Sequence, residues 1–90
     1  MVFVYVIESL VDKMWYKGIA LNPESRLKEH NAGKNRFTKG HRPWKLIYVE
    51  EHPDWSSARQ REKYLKTSAG RKWLQKLLQR NRGDTGSPPA

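Results

Sequence analysis

Met1-Val2-Phe3-Val4-Tyr5-Val6-Ile7, at the start of the 90-residue chain, decides the fold. β-branched and aromatic residues follow one another with no turn former, the pattern of a strand buried on both faces and therefore central in its sheet. Moving outward, Glu8 to Met14 is polar enough to turn, and Trp15-Tyr16-Lys17-Gly18-Ile19-Ala20 resumes the strand pattern. The pair predicts an antiparallel hairpin that brings Tyr5 and Tyr16 near each other. Asn22-Pro23-Glu24 starts a helix: Asn accepts from orphan N–H groups, Pro is pre-set for the first turn, and Glu suits the positive dipole end. Gly33 stops it, and Arg26 and His30, one turn apart, project from the same face. Gly33 to Pro43 reads as a loop. Trp44 to Val49 is a third strand, with Trp44, Leu46 and Tyr48 alternating against Lys45, Ile47 and Val49, closed by Glu50, Glu51 and Pro53. Asp54, Ser56 or Ser57 caps a helix to about Lys66. Ser68 caps another whose Trp73, Leu74, Leu77 and Leu78 form an apolar stripe. The expectation is an α+β domain over residues 1–80, a three-stranded antiparallel sheet flanked by helices in the order β-β-α-β-α-α. Residues 81–90 (NRGDTGSPPA) are expected to be a disordered tail.

Eighteen Lys plus Arg against nine Asp plus Glu give a formal charge of +9, too basic for an ordinary mixed-sign surface. The absence of cysteine excludes disulfides, a disulfide-linked partner, thiolate nucleophiles, iron–sulfur clusters and Cys-containing zinc sites. The longest apolar run, Val2 to Ile7, is too short to span a bilayer and has no signal-peptide flanks, so the expected location is cytoplasmic. The distribution of charge is sharper than the total. Gly33 to Pro43 carries Lys34, Arg36, Lys39 and Arg42 with no acid, and from Trp55 to Gly83 nine cations accompany one acid, Glu62. RNA, DNA and an acidic membrane all satisfy that field. The amphipathic last helix is short, however, and its apolar face is needed for the core, which favours nucleic acid.

Glu62 shares the inward face of its helix with Ala58 and Leu65 and so requires a partner. A neighbouring cation, a hydrogen-bond donor, or a hard cation such as Mg²⁺ would each serve. Tyr5 and Tyr16 taken singly are ordinary strand aromatics. His41 and His52 have no ligand-like spacing, and Phe37 suits either a loop anchor or a stacking surface for an unpaired base.

Taken together, these residues resemble the GIY-YIG nuclease superfamily. Val4-Tyr5-Val6 stands at the first name motif and Tyr16-Lys17-Gly18 at the second. The likeness continues through Arg26, Glu29-His30-Asn31, the block from Phe37 to Leu46, and Ala58-Arg59-Gln60-Arg61-Glu62. Within the superfamily the chain looks like the small stand-alone bacterial endonucleases, relatives of the GIY-YIG catalytic module of the excision-repair nuclease. The first motif lacks the Gly-Ile of its name, Lys17 replaces an aliphatic residue, and no late Asn is assignable. The resemblance implies a divalent-metal-dependent endonuclease that hydrolyses DNA phosphodiester bonds. Glu62 would hold Mg²⁺ or Mn²⁺, Arg26 would donate to a nonbridging oxygen, and Tyr5 would hydrogen-bond water or phosphate. Either Tyr16 or His30 would activate water. Lys17, Lys34, Arg36, Lys39, Arg42 and Arg59 are the expected nucleic-acid contacts. On this reading Tyr5, Tyr16, Arg26, His30 and Glu62 converge in one cleft. The alternatives are a noncatalytic nucleic-acid-binding module on the same surface and a protein-interaction adaptor.

Overall fold

The computed structural model describes residues 1–86. Strands β1 (Val2–Ser9), β2 (Trp15–Ala20) and β3 (Trp44–His52) form an antiparallel sheet of order β2-β1-β3. Around it run helices α1 (Pro23–Asn31), α2 (Arg36–Lys39), α3 (Trp55–Leu65) and α4 (Ser68–Gly86). This is the expected α+β arrangement, with the apolar first strand in the centre.

Two cores flank the sheet because successive side chains of β1 point to opposite faces. Tyr5 and Ile7 pack with Trp44, Tyr16, Leu46 and Leu27 of α1. Val2 and Val4 pack with Ile19, Ala58 and Leu65 of α3. Helix α1 starts as the sequence implies, with the Asn22 side chain accepting from Ser25 N at 3.0 Å and Pro23 in the first turn. It ends before Gly33, whose φ of +81° is the left-handed conformation that glycine adopts without steric cost. Asp54 caps α3 through Ser57 N at 2.8 Å. At Gly70 the backbones of α4 and α3 approach so closely that a Cβ would collide with the Tyr64 carbonyl oxygen.

Four local expectations change. The loop after Gly33 contains α2, a single turn set by Asn35, whose side chain accepts from Phe37 N (2.8 Å) and Thr38 N (3.0 Å). Strand β3 does not close at Glu50. Glu50, Glu51 and His52 stay in the ladder opposite Val4, Phe3 and Val2. The Glu50 carboxylate there is matched by Arg61 of α3, whose Nε donates at 2.9 Å. Nor do Trp44, Leu46 and Tyr48 share one face. Ile7 pairs with Leu46 and Val6 with Tyr48, so Ile47 is an extra residue in β3, a bulge that reverses the alternation. Trp44 and Leu46 therefore join the Tyr5 core, while Tyr48 meets Trp73 of α4 (ring centroids 6.1 Å apart) and His52 meets Ser57 of α3 (2.7 Å). Finally, α4 continues past Arg80, the expected end of the domain, as far as Gly86. Of the tail expected over 81–90, residues 87–90 lie outside the described residues.

Candidate active site

Tyr5 organises the site. It is 1% exposed, and its ring lies across Gly18 of the edge strand β2, where a Cβ would stand 2.5 Å from the phenol oxygen. Only glycine at that place in the second motif lets the phenol lie flat over β2. The Tyr5 hydroxyl is hydrogen-bonded to His30 Nε2 (2.9 Å), and the Arg26 guanidinium lies near enough to act on the phenol. The other ring nitrogen of His30, Nδ1, is hydrogen-bonded to Thr38 Oγ1 at 2.8 Å. Thr38 is fully buried, and its carbonyl accepts from Trp44 Nε1 at 2.9 Å. Asn31 completes the support by clamping both backbone groups of Trp44, donating to its O (3.0 Å) and accepting from its N (2.6 Å).

Tyr16 stands on the same face of β2 as Gly18, with its ring edge-on to His30 at 5.0 Å between centroids and beside Phe37 at 5.8 Å. Arg26 is half-exposed and also pairs with Glu29 (3.1 Å). Glu62 comes from α3 on the other side of the sheet. Its side chain is 15% exposed, ion-paired with Lys66 at 3.2 Å, and near enough to Tyr5 for its charge to act on the phenol. Tyr5, His30 and Arg26 thus stand together, with Tyr16 against the His30 ring, while Glu62 reaches Tyr5 only through its charge. On the Tyr16 side a cavity of about 310 Å³ is lined by Trp15, Tyr16, Lys17, Phe37 and Lys66; Arg26 and His30 line a separate small cleft.

Electrostatics divide the roles. Burial pushes the Tyr5 phenol up to about 12, outweighing the opposite pull of Arg26, so the group is a proton donor at neutral pH. Burial, then the Arg26 charge, hold His30 below the ordinary imidazole value, so it is neutral there. His30 is 2% exposed and has both ring nitrogens engaged.

The expected phosphate contacts are dispersed. Lys34 shares a small cleft with Arg26, His30 and Asn35, while Arg36 and Lys39 are exposed on α2. Arg42 donates from Nε to Lys39 O (2.9 Å) and lays its guanidinium over Gly33. Arg59 is exposed on α3, and Lys17 is buried on the opposite face of β2 from Tyr16. Sequence reasoning missed Thr38, which has no periodic pattern around it, and gave no role to Asn31, although the pair fix His30 and Trp44.

Among the described residues no three His, Asp or Glu side chains cluster as a metal-binding set. Glu29 is taken up by Arg26, which leaves Glu62, paired with Lys66, as the carboxylate that would serve a cation. That fits a hard cation which takes one protein oxygen and draws its remaining ligands from water and a substrate phosphate. It does not fit zinc.

A sequence model described as the GIY-YIG catalytic domain matches residues 1–76, and the chain belongs to this family. Membership implies a nuclease-type function and a nucleic-acid substrate. More particularly, the chain is similar to the UPF0213 protein of Syntrophus aciditrophicus (strain SB), 38% identical over 79 residues that cover 86% of this chain and 90% of that one. It is likewise similar to UPF0213 protein NP_0776A of Natronomonas pharaonis, 38% identical over 66 residues covering 72% and 76%. Among solved structures, the solution NMR structure of UPF0213 protein BH0048 from Bacillus halodurans matches with a TM-score of 0.52 at 28% identity, covering 86% of this chain and 85% of that one. Among the described residues no helix is long and apolar enough to cross a membrane.

Proposed function

We propose that the chain is a divalent-metal-dependent endonuclease that hydrolyses phosphodiester bonds of DNA. The observation that carries this reading is the Tyr5–His30 hydrogen bond with Tyr16 packed on the His30 ring and with the charges of Arg26 and Glu62 both acting on the phenol. Each group has a task set by its chemistry. Arg26 offers a planar fork to a nonbridging phosphoryl oxygen, where charge builds in the transition state. Tyr5, protonated and held by His30, donates to water or phosphate. Tyr16, which lines the open cavity, is the candidate for activating the attacking water. His30 has no access to that water and acts through Tyr5 as a positioning residue. Glu62 would hold Mg²⁺ or Mn²⁺, which when bound supplies charge neutralisation at the phosphate and at the leaving oxygen. Its partner Lys66 is half-exposed on a flexible stem, and a surface ion pair of this kind is worth only about 0–1 kcal/mol, so a cation can displace it. Exposed Lys34, Arg36, Lys39, Arg42 and Arg59 position the backbone without reading sequence.

The same Glu62–Lys66 pair favours a second reading, a noncatalytic nucleic-acid-binding module whose acid is permanently neutralised by its own helix. Supercoiled plasmid incubated with Mg²⁺ or Mn²⁺ separates the two. Nicking that needs metal and falls about 10²-fold or more in Glu62→Gln and Arg26→Ala supports the endonuclease. Binding without nicking, or nicking retained by both variants, overturns it.

A further inference from the structure

The second motif departs from its name at Lys17, and the fold shows where that lysine goes. Alternation along β2 turns it away from Tyr5, toward the face on which Val2, Val4 and Ile19 pack against α3. It is 9% exposed, with Nζ 5.8 Å from the centroid of the Trp15 ring. Among the described residues it belongs to no ion pair with a carboxylate. Its charged neighbours are instead Arg71 and Lys66. An ammonium buried among like charges is unfavourable unless a counter-charge arrives. Burial first, then those two cations, push Lys17 below its ordinary value.

Lys17 also stands between two cavities. One is the 310 Å³ opening that it shares with Tyr16, Phe37 and Lys66, at the candidate active site. The other, about 430 Å³, is lined by Lys13, Trp15, Arg71 and Gln75 as well. Glu8 is the carboxylate on that wall, and it is engaged by the Trp15 indole (3.1 Å) and by Lys45 (3.7 Å). A path lined by cations therefore leads from the Tyr5 cleft, past Lys66 and Lys17, to Arg71.

We propose that Lys17, Lys66 and Arg71 form a phosphate subsite that holds a backbone phosphate of the nucleic-acid strand next to the one at Arg26 and Glu62. The identity of the strand rests on the nuclease reading above. The three side chains carry only donors and positive charge, and the Trp15 ring walls one side, so the subsite takes an anion of any base sequence.

The test uses the full chain in EDTA, where cleavage is suppressed. Binding of a fluorescent oligonucleotide is followed by anisotropy between about 50 and 200 mM salt. Variants Lys17→Met, which restores an unbranched apolar chain, and Arg71→Gln are compared with the control Lys28→Gln on α1. Lys17→Met and Arg71→Gln are each expected to weaken binding about tenfold at the lowest salt and to flatten the log K against log salt slope by about 0.7–0.9. The control changes neither. Lys17→Met should also melt no lower than the parent, because a buried charge has been removed. Inorganic phosphate should shift the Trp15 indole resonance in the parent and not in Lys17→Met. Unchanged affinity and slope in both variants would overturn the subsite even if the parent nicks plasmid. Changed slopes in a parent that fails to nick leave the subsite standing and remove the endonuclease.

Discussion

At Tyr5 two demands on a buried phenol pull against each other. Burial of the ring across Gly18 fixes the hydroxyl but raises its pKa to about 12, while Arg26 pulls the other way and loses. The result is a fixed donor, and it has a stability consequence. Tyr5 and Tyr48 both rise from 10.0 to about 12, Tyr48 through burial and then its bond to Glu50. Groups raised in this way contribute fully below the unfolded value and lose that contribution as pH climbs toward the folded one. His30 is shifted the other way, below 6.5, so its share is present above 6.5 and is lost on acidification. Urea denaturation should therefore show a stability plateau from about pH 6.5 to 10 and a fall on either side. Tyr5→Phe should blunt the alkaline fall by on the order of 2 kcal/mol. An alkaline limb unchanged in Tyr5→Phe would contradict this account. The tyrosines, Arg26, His30 and Glu62 were legible in sequence through motif order. Thr38 was not, because its role is set by one long-range hydrogen bond that no local pattern encodes.

Among the elements, α3 matters most because it serves three neighbours at once. It delivers Glu62 to the cleft, closes the second core through Ala58 and Leu65, and meets Glu50 through Arg61, which also stacks over Trp73 of α4 at 4.6 Å. Its position depends on Gly70, where α4 passes over the Tyr64–Leu65 backbone. Gly70→Ala should force the two helices apart. The expected cost is about 1–3 kcal/mol, seen as a lower thermal midpoint, with a loss of nicking because Glu62 moves with the helix. A midpoint equal to the parent's would show that the crossing is not tight. Strand β1, the caps at Asn22 and Asp54 and the existence of α3 were readable, since period and cap chemistry are local signals. Helix α2 and the last three residues of β3 were not. A single capped turn falls below the length at which periodicity is detectable, and the Glu50 carboxylate is held in its strand by Tyr48, His52 and Arg61, the last eleven residues away.

Across the whole molecule, part of the excess positive charge behind the net +9 gathers on two fronts. Lys34, Arg36, Lys39 and Arg42 lie around α2 on the Tyr16 side, and Lys17, Lys66 and Arg71 lie around the edge of β2. Replacing the first four with Gln should flatten the salt dependence of DNA binding by up to about 0.9 per residue that meets a phosphate. The nicking rate at saturating DNA should hold, because none of the four touches the Tyr5 hydroxyl. A slope equal to the parent's would place the DNA elsewhere. The excess charge was legible from composition alone; its division between two sides of a strand required the pleat of β2. The extra residue at Ile47 carries a last consequence. It acts as a half-period phase slip, so one strand braces the chamber around Tyr5 with its first half and anchors the scaffold behind it with its second. Excising that single position would swap the allegiance of everything downstream, aiming the Glu50 carboxylate at the chamber and leaving Arg61 without a counterion, a rearrangement no point substitution can imitate.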